Sequence, residues 1–596
     1  MAPRRGRPPR DEPTRADLGQ AVVPRSNDQV AEALGELADL LAITGGDPYR
    51  VRAYEKAARS VGSYPLEVDE LDEKGLKAIP SVGAHIAGKI LQLRDSGHIE
   101  ELDDLRAQIP AGLRTLLSVP GLGPKRAHQV YVELHVTSVP ELLDALRSER
   151  LRALRGWGET SEAHLAAAIA QYQEAGGRMQ LGAALELAEE LVGELASIPA
   201  VADVTYAGSL RRMRETIGDV DLLVASDDPE AVMEAFCALP LVADVPARGS
   251  TKAVAATTTG VHVDLRVVAP AVWGAALMYF TGSKAHNIHL RRIAQRAGLK
   301  LSEYGLERID DAKVLASRTE EQVYAALGMA YVPPTLREDR GEIEAALEGA
   351  LPQLVELRHI RGDLHTHTNL TDGMASLEDM VAAARHLRYD YLAVTDHAPL
   401  LFMERMTTEK ALAQRAAIRE LEAGSGMALL HGSELNIQPD GSLDWDDEFL
   451  AGFDIVVASV HSAFAMRRDE MTARLIKAIE HPAVNIIGHP TARSIGHRPP
   501  IEFDVEVVFR AAARAGTALE INAFPDRLDL DDELARLAVE HGVKLAISSD
   551  AHAVRHLDQL RYGVATAQRG WVGPRQVINT WPLARLRKFL AKGRIR

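Results

Sequence analysis

Residues 362–373 read GDLHTHTNLTDG. His365 and His367 stand two apart at what the pattern predicts to be the end of a strand. Alternate strand side chains share a face, so both imidazoles point the same way, with aspartates beside them. Two convergent imidazoles and a carboxylate outline a metal site. More ligand-type residues follow at intervals: Asp372, His397 in TDH, Glu434 in GSE, His461 in SVH, His489 in GHP, and Asp550 with His552 in SSDAH. Any one of them is an ordinary structural residue by default. Nine at successive predicted strand ends are not, because the C-terminal ends of strands are where α/β barrels build sites. Imidazole and carboxylate without thiolate suit Mn2+ or Zn2+. Arg493, in HPTARS, is a candidate cation for a phosphate at this site.

A second constellation lies at 207–225, AGSLRRMRETIGDVDLLVA. Asp219 and Asp221 are predicted on one strand face, and Asp264 in VHVDLRVV on another strand whose other inward residues are apolar. Like charges this close repel unless a cation sits between them. Gly208 and Ser209 can bring backbone and hydroxyl donors to a triphosphate, and Arg211 and Arg212 add positive charge. Three carboxylates holding two Mg2+ are the arrangement for phosphoryl transfer.

A third motif occurs twice, IPSVGAHIAGKILQL at 79–93 and VPGLGPKRAHQVYVEL at 119–134, with a weaker copy at 154–169. Gly83, Gly121 and Gly123 permit tight turns that expose backbone N–H groups at a helix start, and Lys125 and Arg126 follow the second. The pair resembles the helix-hairpin-helix module, which grips DNA backbone without reading sequence.

The elements that position these residues follow from periodicity. Residues 27–176 carry apolar side chains three and four apart and are predicted helical. From 178 to about 335 helices alternate with β-rich runs. A polar helix at 337–349 reads as a connector. From 360 onward YLAVTDH, MALLHGSEL, DIVVASVHS, VNIIGHP, TALEINA and VKLAISSD alternate with helical stretches. With the opening DLHTHT they predict an α/β barrel of about seven strands. At 596 residues the chain exceeds one core. Its single cysteine, Cys237, excludes a disulfide framework or a cysteine zinc site within the chain. The formal charge of −16 decides little, because nucleic acid is bound by local patches. There is no apolar run of about 18 residues and no signal-peptide core, and a cytoplasmic location is expected.

Residues 27–335 together resemble the DNA polymerase X family, the group that includes polymerase beta. The resemblance rests on both hairpins, GS-x-R-R, GDVD, the third aspartate and YFTGSKAHN at 279–287. It implies that Asp219, Asp221 and Asp264 hold the catalytic metals, and that Arg178, Gly208, Ser209, Arg212 and Gly218 contact the triphosphate. Tyr279 and Phe280 would monitor the sugar, Gly282 would let the backbone approach, and Asn287 would read the minor-groove edge of the base. His262 stands where polymerase beta has an arginine. Lys89 matches the family's lyase nucleophile, but residues 26–110 hold 16 acidic against 9 basic side chains, an odd balance for gripping a 5′-phosphate.

Residues 360 to about 580 resemble the polymerase and histidinol phosphatase (PHP) domain. That implies three metals: Glu434 bridging two of them, His365, His367 and Asp550 on the first, His461 and His489 on the second, Asp372, His397 and His552 on the third. The chemistry implied is phosphoester hydrolysis. The expected fold is thus multidomain: an α-helical helix-hairpin-helix region, an α+β nucleotidyltransferase palm with thumb, and a distorted (β/α)7 barrel. The expected divisions are a disordered basic tail 1–26, a lyase-like hairpin domain 27–110, a second hairpin subdomain 111–176, the palm 177–270, a nascent-base-pair subdomain 271–335, a linker 336–359 and the PHP domain 360–596. The expected activity is gap-filling DNA synthesis in repair with 3′-5′ trimming, on gapped DNA and dNTPs, by a monomer. Rival expectations are a PHP domain acting on small phosphoesters, or a DNA-binding scaffold with an inactive polymerase half.

Overall fold

The computed structural model describes residues 27–591, apart from 45, 63, 65–67, 69–70, 110–121, 123, 138, 149, 155–156, 159–161, 163–164, 166–177, 259–260 and 401–405. The tail 1–26, Gly121, Gly123 and most of the third hairpin copy lie outside the described residues. The described residues separate into two compact units that divide after Glu162. Among them no helix is long and apolar enough to cross a membrane.

The first unit is helical. In the opening helix Asn27–Ile43, Val30, Leu34, Leu37, Ala38 and Leu41 are buried at spacings of three and four, so one stripe faces the core. The first hairpin joins helix Glu73–Ala78, capped by the Asp72 carboxylate on the Gly75 N–H, to helix Ala84–Ser96. The second of these starts at exposed Gly83 with no side-chain cap, which leaves its first N–H groups for solvent or a ligand.

The second unit begins with a five-stranded sheet ordered Asp203–Tyr206, Val220–Ala225, His262–Val268, Lys252–Thr257, Val242–Arg248. Val220, Leu222 and Val224 with Val263, Leu265 and Val267 bury one face against helices Leu181–Ala196 and Pro229–Cys237. The other face carries Leu223, packed on Ala276 and Leu277 of helix Trp273–Thr281. A three-stranded sheet, Leu299–Ser302, Gly305–Arg308 and Val314–Ala316, follows.

The stretch 336–359 is built into this unit. Arg337 is fully buried, Glu342 likewise, and the Val355 N–H donates to Val572 O at 2.9 Å. The helix expected at 337–349 spans only Glu342–Glu348, because Arg337 turns inward and Gly341 takes φ +100° ahead of it.

The barrel strands are Gly362–Asp363, Tyr391–Val394, Ala428–Asn436, Ile455–Ser459, Ile486–Ile487, Ala518–Asn522 and Leu545–Ser548, all parallel and in chain order. A parallel bridge between Thr366 and Ala551 links the two ends of the row. Every strand residue is buried, which is why the runs read as near-continuously apolar. The first strand is shorter than the stretch DLHTHT, so His365 and His367 lie just beyond it. Their alternation survives because the Thr366 N–H donates to Thr395 Oγ1 (3.0 Å) and Thr395 N–H to Thr366 O (2.8 Å).

Candidate active sites

Asp221 and Asp264 are direct partners on neighbouring parallel strands, so their side chains share a sheet face. Asp219 immediately precedes the strand Val220–Ala225 and is exposed. Burial pushes the Asp221 carboxyl up to about 7, and the nearby Asp219 and Asp264 charges add to the shift. That is the signature of carboxylates assembled for a cation. The strand of Asp264 differs from expectation: its apolar residues Val263, Leu265 and Val267 face the opposite side. Asp264 shares its face with His262 and Arg266 by the two-residue period, and Lys252 Nζ lies 3.0 Å from its Oδ2.

Gly208 has φ +58°, and a Cβ there would overlap Asp221 Oδ2, so only glycine lets that carboxylate pack on the backbone. Ser209 is the next residue of the short helix Gly208–Arg211. Arg178 donates to Thr216 Oγ1 (2.9 Å) beside Gly218. Arg211 is committed elsewhere, donating to Glu320 through both Nη atoms (2.8 and 2.7 Å) and to Thr281. Arg212 is 3.1 Å from Glu338 and donates to Thr281 O. Tyr279 and Phe280 meet edge to face with centroids 5.2 Å apart, and Arg266 lies over Phe280. Gly282 takes φ +70°, and the Asn287 amide donates to Tyr279 O at 2.7 Å.

At the barrel mouth the nine ligand-type residues converge. Glu434 Oε1 is 3.0 Å from His489 Nε2 and 3.2 Å from His461 Nε2. Its Oε2 is 2.9 Å from His397 Nδ1, 3.5 Å from His365 Nε2 and 3.7 Å from His367 Nε2. Asp550 Oδ1 lies 3.1 Å from His367 Nε2 and 3.6 Å from His365 Nε2. Asp372 Oδ2 lies 3.1 Å from His397 and 3.2 Å from His552. Three groups bring their ligand atoms within 4.8 Å of one another: His367, Asp372, His397 and His552; His365, His367 and Asp550; His397, Glu434 and His461. His397 thus stands between two groups rather than in one.

Among the described residues the buried nitrogens His365 Nε2, His367 Nδ1 and Nε2, His397 Nδ1 and His489 Nδ1 make no hydrogen bond of proper geometry, although carboxylate oxygens lie close to several of them. Orphaned imidazole nitrogens around buried carboxylates fit divalent cations, and the donor set fits Mn2+ or Zn2+. The electrostatics agree. Burial opposes ionisation of Glu434, yet His461, His365 and His397 hold it well below the usual range. Burial likewise opposes protonation of His397, but Glu434 and Asp372 raise it to about 10. His489 goes the other way: burial, then Arg527, lower it to about 4, which keeps that imidazole neutral. Asp550 and His489 adopt φ +54° and +26°, rare for residues other than glycine and a cost of order 1–3 kcal/mol each.

The sequence matches the family models for the helix-hairpin-helix domain over 25–99, the SAM-like helix-hairpin-helix tandem over 73–135 and 113–168, the DNA polymerase beta thumb over 276–338 and the PHP domain over 363–523. It is 35% identical over 569 residues to the DNA polymerase/3′-5′ exonuclease PolX of Bacillus subtilis, covering 94% of this chain and 99% of that protein. The chain belongs to the PolX family. A probable phosphatase of a Thermoanaerobacter strain is 30% identical over 241 residues, 38% of this chain and 93% of that protein. One of Shewanella sediminis is 29% identical over 241 residues, with 39% and 93% covered.

In this PolX-family chain several site residues escaped sequence reasoning. Glu520 lies 2.8 Å from His365 Nδ1 and accepts from the backbone N–H of His489 (2.7 Å), so it orients one imidazole and fixes the backbone that carries another. Asn522 donates to Asp550 (3.0 Å), and Asn436 Oδ1 lies 2.7 Å from His461 Nδ1. Their signal was legible: Glu520 and Asn522 are polar in the otherwise apolar TALEINA, and Asn436 stands two residues past Glu434 on the same strand. Arg527 was missed outright. Its Nε lies 3.6 Å from Asp550 Oδ2 at the metal-ligand cluster. Arg493, the expected phosphate cation, instead donates to the carbonyls of Arg527 (2.8 Å) and Leu528 (2.7 Å) and pairs with Glu215.

In the helical unit Arg126 is exposed, with its guanidinium 4.9 Å from the Trp157 ring centroid. Lys125 belongs to helix Pro124–Leu134, and its side chain lies outside the described residues. Lys89 Nζ is 3.1 Å from Glu101, which also holds Arg50. A lysine so paired must leave its carboxylate before it can attack an aldehyde.

Proposed function

We propose that this chain is a DNA-directed DNA polymerase that fills short gaps during repair and trims 3′ ends with a metal-dependent 3′-5′ exonuclease in its barrel. The observation that carries the reading is the full-length similarity to the Bacillus subtilis protein, together with two chemically distinct sites in one chain. The division of labour follows the boundaries inferred above: hairpins in 27–110 and 111–176, palm 177–270, nascent-base-pair subdomain 271–335, connector 336–359, PHP domain 360–596. It acts as a cytoplasmic monomer on gapped or primer-template DNA and dNTPs, gripped without sequence preference at Gly83, Gly121, Gly123, Lys125 and Arg126.

In the palm, Asp219, Asp221 and Asp264 would hold Mg2+ or Mn2+, which offset triphosphate charge and favour the ionised primer hydroxyl. Ser209 and the backbone at Gly208 and Gly218 donate to phosphate oxygens, with Arg178 and Arg212 as counter-charges. Tyr279, Phe280 and Asn287 orient the sugar and base. At the barrel mouth Glu434 and the surrounding imidazoles would hold up to three Mn2+ or Zn2+ ions, which supply Lewis acidity for phosphodiester hydrolysis. Arg527 binds the substrate phosphate, Glu520 and Asn436 fix imidazole orientation, and Asn522 steadies Asp550.

The experiment is incubation of gapped DNA with Mn2+ and dNTPs, following primer lengthening and shortening together. The Asp219→Ala/Asp221→Ala protein should lose extension and keep trimming, and Glu434→Ala should do the reverse. Extension by the double variant would sink the palm assignment. Trimming of histidinol phosphate but not DNA by the wild type would move the barrel to the small-phosphoester reading.

A further inference from the structure

We propose that Arg569, from a helix flanking the barrel, is a positioning residue for the polymerase: it keeps Arg212 available to the incoming nucleotide. This rests on the reading of Arg212 as a triphosphate contact. Arg569 ends helix Leu560–Arg569, which packs through Gly563 on Ile547 and Ala523 of the barrel. Its guanidinium nevertheless reaches the palm. Nη1 donates to the carbonyl of Arg212 at 2.8 Å and lies 3.0 Å from Glu338 Oε1. Nη2 pairs with Asp532 at 2.9 Å, and the Arg340 guanidinium binds both Asp532 (2.8 Å) and the Arg569 carbonyl (3.1 Å). Arg569 is 4% exposed, so this geometry is held by packing.

Glu338 is the pivot. The same oxygen, Oε1, faces Arg212 Nε at 3.1 Å, Arg569 Nη1 at 3.0 Å and Arg214 Nη1 at 3.8 Å. A carboxylate serving one buried arginine would hold it against any rival anion. Shared with Arg569, it neutralises Arg212 only partly, and a triphosphate can then compete for that guanidinium. Meanwhile the bond from Arg569 to the Arg212 carbonyl pins the backbone just past Ser209. Arg212 also donates to Thr281 O, at the start of the turn through Gly282, so its position bears on both walls of the nucleotide site. The barrel portion thus contributes to polymerisation a residue whose hydrogen bonds, among the described residues, run to Arg212, Glu338, Asp532 and Arg340 rather than to the metal-ligand cluster.

The test is steady-state primer extension by Arg569→Ala, Glu338→Gln, their double variant and Arg212→Ala, with trimming measured in parallel. Arg569→Ala should raise the dNTP KM roughly five- to fiftyfold with a smaller change in kcat, because Glu338 then captures Arg212. Glu338→Gln in that background should restore the KM towards wild type, a rescue that general destabilisation does not produce. An unchanged dNTP KM in Arg569→Ala beside a raised one in Arg212→Ala overturns the proposal and leaves the nucleotide site standing. An unchanged KM in Arg212→Ala overturns the reading of that site itself. Should Arg569→Ala fail to fold, Glu338→Gln alone decides: a lowered dNTP KM supports the proposal, and an unchanged or raised one overturns it.

Discussion

Two arginines, Arg493 and Arg527, show how a side chain's surroundings decide its work. Arg493 spends its donors on two backbone carbonyls and Glu215. Arg527 keeps its guanidinium beside Asp550, with a quarter of the side chain open to solvent. Arg527→Ala should therefore leave bound metal at the wild-type level and lower kcat/KM for trimming by roughly 10- to 100-fold, the effect of losing one charge-assisted phosphate contact. Metal analysis beside a trimming assay checks it, and loss of metal would make Arg527 structural. Arg493→Ala should instead lower stability by on the order of 2 kcal/mol, because buried carbonyls lose their donor. Thermal unfolding reads that difference.

Among the elements, the barrel strands bring the ligand-type residues together only while their backbones can approach closely. Gly488 follows strand Ile486–Ile487 and precedes His489, and a Cβ there would overlap Ser459 Oγ and come 2.8 Å from Val457 Cγ1. Both obstacles belong to the neighbouring strand, so the displaced part is the strand end that presents His489. Gly488→Ala should lower metal content and reduce trimming at least about tenfold, as a one-ångström misplacement does at a reacting centre. Extension should persist, since the atoms nearest that position, on Ser459, Val457 and His365, all belong to the barrel. Metal content unchanged in this variant would show that the mouth tolerates the shift.

Across the whole molecule, the palm is tied to the elements after it by buried charge. Glu320 joins Arg211 of the palm to fully buried Arg337 at 2.7 and 2.6 Å. Burial raises its carboxyl pKa, but the Arg211 hydrogen bond and the Arg337 charge outweigh it and hold the group at about 2. A carboxylate held low contributes stability above its unfolded value, and that contribution fades as pH falls through the folded one. Stability should therefore drop between about pH 4.5 and 2. Glu320→Gln should flatten that part of the pH dependence and lower stability at neutral pH, because buried Arg337 and partly buried Arg211 lose their counter-charge. Equilibrium unfolding across this range checks both, and an unaltered slope would put the acid sensitivity elsewhere.

The sequence by itself determined what is periodic or local. Alternation placed His365 and His367 on one face, and the regular return of apolar runs foretold the parallel barrel with its ligand-type residues at strand ends. GDVD marked the strand of the carboxylates and YFTGSKAHN the turn through Gly282, because close-packed turns demand particular residues at particular places. Only the tertiary structure decided what depends on partners distant in the chain. Glu520 reads as one polar residue in an apolar strand until the fold sets it against His365, 155 positions away. The sheet face of Asp264 was misread, since alternation gives two faces and only packing says which is buried. Arg493 and Arg527 have the same chemistry, and nothing in HPTARS or FPDRL says which of them reaches the metal-ligand cluster. Arg569 lies 357 residues from the Arg212 carbonyl it holds. A charged side chain takes its meaning from the opposite charge it meets, and that meeting is made by the fold.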